Sequence, residues 1–483
     1  MRAALQGNVM LKSDFEVIGS KEYGASYSAV SLAKELGLDK IIYSKPSEDW
    51  VKCSLAMIAG RLVWQGSKLA LSNCTNISSI WEICGIKGEI DVNSNCYDVM
   101  DKLFARQDKI QKSLAEKHLE DGCLVLYDIT SSYLEGEYED SEIVAYGYNR
   151  DKKRGHKQIV ISLLCNKEGC PVAVEVFEGN TKDESTVLHI IETVQNKYNI
   201  TNLVFVGDRG MITTVQNEKI DHNTVKIISA LKHSGIKGLL DDGIVQMSFF
   251  DEKSIVEVIE GEMRCCLCKN PLMAAKETAT RKALLEKTAN ELDKIVKSTR
   301  KNENSKEVRI GKVINKYKMG KFVKLIGSGN DVQWSFDEEK IADEEQLDGC
   351  YVVYTDVSQE DMDAQEVVKN YKSLIKVENA FRNLKTAQLE IRPIYHKTDD
   401  RIKCHVFICM LAYYLMWHMN KRLQPLYESD GQGQNRKYTF KHILEILKTI
   451  RSNTVSIESQ IATVISTPDE EQQRILSLLN VVV

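Results

Sequence analysis

The apolar run Cys123-Leu-Val-Leu-Tyr127 leads straight into Asp128, and Leu203-Val-Phe-Val-Gly207 leads straight into Asp208. Near-continuous apolar runs of this length read as strands buried on both faces, which require a sheet covered by helices on each side. Each aspartate then stands at the carboxyl end of its strand, where sites gather in open α/β sheets. An aspartate in that place also commonly caps the turn or helix that follows, so neither acid is informative alone.

The surrounding pattern agrees with a sheet. Gln158-Ile-Val-Ile-Ser-Leu-Leu-Cys165 and Pro171-Val-Ala-Val-Glu-Val-Phe177 flank Asn166-Lys-Glu-Gly169, a hairpin signal. Ser185 to Tyr198 is amphipathic at helical spacing, and Val225-Lys-Ile-Ile-Ser-Ala-Leu231 reads as a further strand. The expected fold class is therefore α/β, a mixed sheet with helices. Residues 1 to about 120 read as helical, with apolar residues at three- and four-residue spacing in 27–36, 48–65 and 97–119. Beyond residue 232, short strand-like pieces surround a long charged helix, Ala274 to Thr299, and Cys350-Tyr-Val-Val-Tyr354 reads as a return to the sheet. A helix is expected over Asp363 to Lys385, and helices from Asp399 to the C-terminus.

A chain of 483 residues exceeds one ordinary core and implies two to four domains. The net charge of −5 gives no bulk attraction to nucleic acid, so a polyanionic partner would be held by local basic patches. The 13 cysteines are scattered, and Met1-Arg-Ala-Ala-Leu5 opens no apolar leader, so reduced thiols in a cytoplasmic protein are expected. Cys265-Cys-Leu-Cys268 has no second half at zinc-site spacing. Val406 to Met419 is short, contains His418 and has charged flanks, so it reads as a buried core helix and not a membrane span.

A third acid, Glu378, lies in the helical segment Tyr371 to Lys385. Two strand-end aspartates and a helical glutamate form a carboxylate set able to hold two Mg²⁺ ions about 4 Å apart, with Mn²⁺ as a substitute, for phosphoryl transfer on nucleic acid. Tyr371, Leu374, Glu378, Arg382 and Lys385 are spaced to share one face of a single helix, with Lys385 roughly 10 Å along the axis from Glu378. Two basic stretches suit phosphate contacts: Arg150-Asp-Lys-Lys-Arg-Gly-His-Lys157, which contains Lys153 and Arg154, and Lys306 to Lys324, with seven Lys or Arg against one Glu.

These words resemble the insertion-sequence DDE transposases that carry a Tyr-x2-Arg-x3-Glu-x6-Lys signature; the segment here reads Tyr371-x2-Leu374-x3-Glu378-x6-Lys385. Tyr127-Asp-Ile-Thr-Ser-Ser-Tyr-Leu-Glu-Gly136, Ala145-Tyr-Gly-Tyr-Asn-Arg-Asp151, Val176-Phe-Glu-Gly-Asn-Thr181, Gly207-Asp-Arg-Gly-Met211 and Leu347-Asp-Gly-Cys-Tyr351 resemble the family's recurring words, in order. The resemblance implies an RNase H-like core (121–231 and 349–395) interrupted by a mostly-β insertion (232–348). It also implies a helical DNA-binding N-terminal region (1–120) and a helical C-terminal region (396–483).

The reaction implied is Mg²⁺-dependent cleavage at transposon ends followed by strand transfer, with Asp128, Asp208 and Glu378 as catalytic metal ligands. Tyr371 and Lys385 would contact DNA, joined by Arg382, Arg209, Arg150, Lys153 and Arg154. The partners would be double-stranded DNA, both transposon ends and target, and a second copy of the chain; no membrane is involved, and the cytoplasmic location would be at the nucleoid. Two departures stand out. The signature arginine is Leu374, and restoring it would tighten DNA binding if that face meets phosphate. Relatives also begin with a basic, strand-containing segment that this chain starts without. A silent DNA-binding relic and a nuclease without strand transfer remain open alternatives.

Overall fold

The computed structural model describes residues 15–151, 153, 155–251, 255–298, 305–386, 389–430, 437–457 and 460–483. Strand β1 (Phe15–Glu22) precedes helices that include α1 (Gly24–Glu35), α2 (Asp49–Val63) and α3 (Gln107–His118). Then come β2 (Cys123–Tyr133), the hairpin β3 (Gln158–Asn166) and β4 (Pro171–Glu178), α4 (Asp183–Glu192), β5 (Leu203–Gly207) and β6 (Val225–Ala230). They are followed by β7 (Val256–Glu260), β8 (Met263–Lys269), α5 (Pro271–Lys297), α6 (Lys306–Tyr317), β9 (Val323–Ile326), β10 (Gln333–Phe336), α7 (Glu338–Gln346) and β11 (Cys350–Thr355). The chain continues through α8 (Ala364–Lys372), α9 (Ile375–Lys385), α10 (Asp399–Ser429), α11 (Phe440–Lys448), β12 (Arg451–Ile457), β13 (Gln460–Ile465) and α12 (Glu470–Leu479). The protein is mixed α/β, as its apolar runs imply.

Two compact units divide the chain: one holds residues up to Gly207, Thr213–Val225 and Ser373 onward, the other Asp208–Ile212 and Lys226–Lys372. In the first, strands run in the order β4-β3-β2-β5. The β3 strand is antiparallel to both β2 and β4, while β2 and β5 are parallel, with Tyr127 opposite Gly207. Every residue of β3 except its last is buried, and β2 is buried from Leu124 through Tyr127, as two-sided coverage demands. Coverage on one side comes from α10, whose residues Cys404 to Met416 are all buried. It packs on α2, β4, α9 and α12, and each large aliphatic or aromatic side chain it removes from water contributes about 1.5–3 kcal/mol. By length and composition α10 is apolar enough to cross a bilayer, yet 83% of its most apolar window is buried within the protein.

The two ends of the sequence depart from an all-helical reading. Strand β1 precedes the first helix and pairs antiparallel with β12, which pairs with β13. The second residue run responsible, Arg451-Ser-Asn-Thr-Val-Ser-Ile457, is polar and β-branched, so only its partner strand reveals it.

In the second unit the order is β6-β11-β8-β7, all antiparallel. Its core gathers Ile236, Leu239, Phe250, Leu267, Leu347 and Val352. A separate cluster of Leu292, Ile295, Ile310, Val313 and Val332 joins α5 to α6. The described part of 232–348 thus contains the long α5 and three shorter helices, His233–Asp241, α6 and α7, beside short strands, where the resemblance implies mostly β. The charged face of α5 is what keeps so long a helix soluble around a narrow apolar stripe.

Candidate active site

Asp128 does not end its strand as the apolar run implies: β2 continues to Tyr133 because residues 128–133 stay paired with β3, and Asp128 is the first residue past the stretch paired with β5. It is half-buried, and its Oδ1 accepts a hydrogen bond from the Ile129 amide at 2.7 Å. Asp128 and Thr130 are two apart on an extended strand, so their side chains share one face of the sheet. Thr130 Oγ1 accepts from Lys385 Nζ at 2.6 Å. Lys385 and Glu378 are seven apart on α9 and share one helix face. That bond ties the Lys385 end of α9 to β2, two residues from Asp128. The helix is held there by a stripe of buried Val377, Ala380, Phe381 and Leu384, while Glu378 and Arg382 are exposed beside it.

Lys385 is also paired with Asp151, whose carboxylate contacts Nζ at 3.0 Å and the Arg392 guanidinium on its other oxygen. Burial lowers the Lys385 ammonium below its usual range, and Asp151 opposes that shift. In the unliganded chain this lysine is an anchor between helix and strand. Arg150 is likewise engaged, in an ion pair with Asp183, and its amide donates to Ser131 Oγ at 2.9 Å. Lys153 is exposed and stands 5.6 Å over the Tyr133 ring, where Arg392 also stands at 5.3 Å. Arg154 lies outside the described residues.

The loop that supplies Arg150 and Asp151 is fixed by Gln158. Its side-chain amide donates to Tyr148 O at 3.1 Å and Gly179 O at 2.6 Å, and its backbone bridges to Ala145. Gly147 and Gly179 are required by this approach: a Cβ on either would come within about 2.0 Å of a backbone oxygen. Two of the short sequence words thus meet at one crossing of the chain.

In the second unit, exposed Asp208 opens the turn Asp208-Arg-Gly-Met211. Its Oδ1 accepts from the Arg209 amide at 2.6 Å and from the Tyr371 hydroxyl at 3.3 Å. Its carbonyl accepts from Met211 N and Ser229 Oγ. Gly210 has φ +79, and a side chain there would strike Lys232. Arg209 is exposed.

The single helix expected over 363–385 is two, α8 and α9, with a turn at Ser373 and Leu374. Leu374 is 5% exposed, so it does not share an exposed face with Glu378 and Arg382, and an arginine there would be driven into the core. Leu374 is in phase with α9, its carbonyl accepting from the Glu378 amide, and it joins the buried stripe of Val377, Phe381 and Leu384 beside the exposed Glu378 and Arg382. The basic stretch 306–324 forms α6 and the segment after it, and much of its charge is neutralised locally. Lys316 pairs with Glu291, Lys321 with Glu344, and Lys324 with Asp337, acids that lie elsewhere in the sequence. Asp151, Arg392 and Gln158 were not singled out by sequence; the lone acid inside 150–157 is the one trace that Asp151 leaves there.

A family model for the transposase DDE domain matches residues 119–415, more than half of the chain. The chain belongs to the DDE transposase family. Asp128, Asp208 and Glu378 of this transposase all fall inside the matched span. No curated protein matches its sequence. Among solved structures it is similar to a piggyBac transposase synaptic complex with hairpin DNA, seen by cryo-EM, at TM-score 0.38 and 8% identity, over 83% of this chain and 70% of that one.

Proposed function

We propose that the protein is an insertion-sequence transposase that cuts DNA at the element's ends and joins them to target DNA, with Asp128, Asp208 and Glu378 holding two Mg²⁺ ions. The observation that carries this reading is the parallel register of β2 and β5, Tyr127 opposite Gly207, because each of these two residues is followed in the chain by an aspartate. The Lys385–Thr130 bond, which ties the helix that carries Glu378 to the strand that carries Asp128, supports it further. The donor set fits the ion: it is all carboxylate, with Asp208 and Glu378 exposed and neither Cys nor His among them. When bound, such ions supply charge neutralisation at the scissile phosphate and an activated water.

The chain's own groups do the rest. Water attacks a phosphodiester, the P–O3′ bond breaks, and a 3′-OH and a 5′-phosphate result. That 3′-OH then attacks a target phosphodiester and releases a target 3′-OH. Arg382, exposed one turn beyond Glu378, and Arg209, exposed beside Asp208, suit phosphate contacts that position DNA without reading it. Tyr371 orients the Asp208 carboxylate, and Lys385 positions α9. Two copies would act together on two ends, in the cytoplasm at the nucleoid.

The test is cleavage of a DNA fragment carrying the element's own end, with and without Mg²⁺. Asp128→Asn and Glu378→Gln are expected to abolish nicking while DNA binding persists. Undiminished Mg²⁺-dependent cutting by either variant overturns the assignment, and specific binding by the native chain without cutting would favour the silent relic.

A further inference from the structure

Away from these carboxylates, His118, Cys170 and His418 bring their ligand atoms within 4.8 Å of one another. The three come from separate parts of the first unit: the last residue of α3, the residue just before β4, and the distal half of α10. Cys170 is fully buried, and both imidazoles are half-buried. His418 Nε2 is buried and has no hydrogen-bond partner among the described residues, a costly state for a polar atom unless something occupies it. The Tyr414 hydroxyl lies 2.9 Å from His118 Nε2 and orients that ring, as outer-sphere bonds do around ligating histidines.

We propose that His118, Cys170 and His418 form a binding site for a zinc-class divalent cation that pins α3, β4 and α10 together. Two imidazoles and a thiolate are the donors such ions prefer, and they are poor donors for Mg²⁺. With metal–nitrogen bonds of about 2.0 Å and a metal–sulfur bond of about 2.3 Å, tetrahedral ligand atoms lie roughly 3.3–3.8 Å apart. The ligand atoms, all within 4.8 Å of one another, stand near that spacing. Three protein donors leave one position for water. Binding releases the Cys170 proton to solvent and replaces it with a metal–sulfur bond. The nearby cations do not oppose this strongly: Lys421 is paired with Glu168 at 2.7 Å, and Lys117 donates to Leu36 O at 2.6 Å. Cys265, Cys266 and Cys268 offer no equivalent: along β8 Cys265 faces opposite to Cys266 and Cys268, so the three thiols cannot converge on one ion.

Titrating the full chain with Co²⁺, read by absorption, tests the site without reference to DNA cleavage. One equivalent is expected to give visible ligand-field bands and a near-ultraviolet thiolate-to-cobalt band, both displaced by Zn²⁺. Cys170→Ser should lose the thiolate band, and His418→Asn should weaken binding by at least roughly tenfold, the loss that even outer-sphere changes produce. Asp128→Asn should bind like the native chain. Zn²⁺ should also raise the melting temperature of the native chain, and by more than that of His418→Asn at the same concentration. Absence of the thiolate band in the native chain, or its survival in Cys170→Ser, overturns the proposal.

Discussion

Lys385 illustrates how far a residue's role depends on its neighbours. In the linear signature it is a cation available to DNA; in the folded chain it is shared between Asp151 and Thr130. Asp151 has 9% of its side chain exposed and faces two cations, Lys385 and Arg392. Asp151→Ala would leave both cations without their anion in a poorly solvated place. The expected cost is about 2–3 kcal/mol, at the low end for broken buried pairs because Arg392 is partly solvated. Chemical denaturation measures it, and a midpoint equal to that of the native chain would show the pair to be unimportant. If Lys385 is released on DNA binding, the same variant frees it for phosphate.

At the scale of elements, the decisive feature is the break between α8 and α9. Because Leu374 lies in the turn and is buried, Leu374→Arg is expected to destabilise the protein by roughly 2–5 kcal/mol, the cost of losing a buried leucine, with desolvation of the guanidinium added. The melting temperature should fall by several degrees and DNA affinity should not rise. A variant that melts normally and binds DNA more tightly would restore the single-face reading. The same scale explains α6. Acids on α5 and α7 and the α7 N-cap Asp337 answer Lys316 on α6 and Lys321 and Lys324 just beyond it, and ion pairs between elements are invisible to a count along one of them.

At the scale of the whole chain, stability should depend on pH through buried bases around α10. Burial pushes His396 down to about 3 and holds His405 well below its ordinary value, while Lys68 beside them is pushed down to about 8. A base whose folded pKa is depressed binds fewer protons in the folded state than in the unfolded one, so stability falls as pH falls between the two values. Lys68 acts from about 10.5 down to 8, and the histidines act below about 6.5. The melting temperature should therefore drop on going from pH 7.5 to 5, and His396→Gln should flatten that drop. An equal slope in the variant would remove His396 as its source.

What the sequence determined by itself is local. Continuous apolar runs dictated β3, β5 and the first half of β2, as strands covered on both sides demand, while the buried Thr130-Ser-Ser132 continuation of β2 came from pairing with β3. Short words marked the family, and the end of each apolar run marked an aspartate. The tertiary structure decided which residues meet. Register set Tyr127 against Gly207, and the Gln158 crossing gave Gly147 and Gly179 their purpose. Pairing between the two ends of the chain made strands of polar segments that have no periodicity of their own. Asp151, drawn to two cations from hundreds of residues away, leaves only the trace of a lone acid in a basic stretch, and His118, Cys170 and His418, gathered from three elements, carry no mark in the sequence. Electrostatic pairing and ligand geometry act through space, and spacing along the chain records them only within one helix or strand.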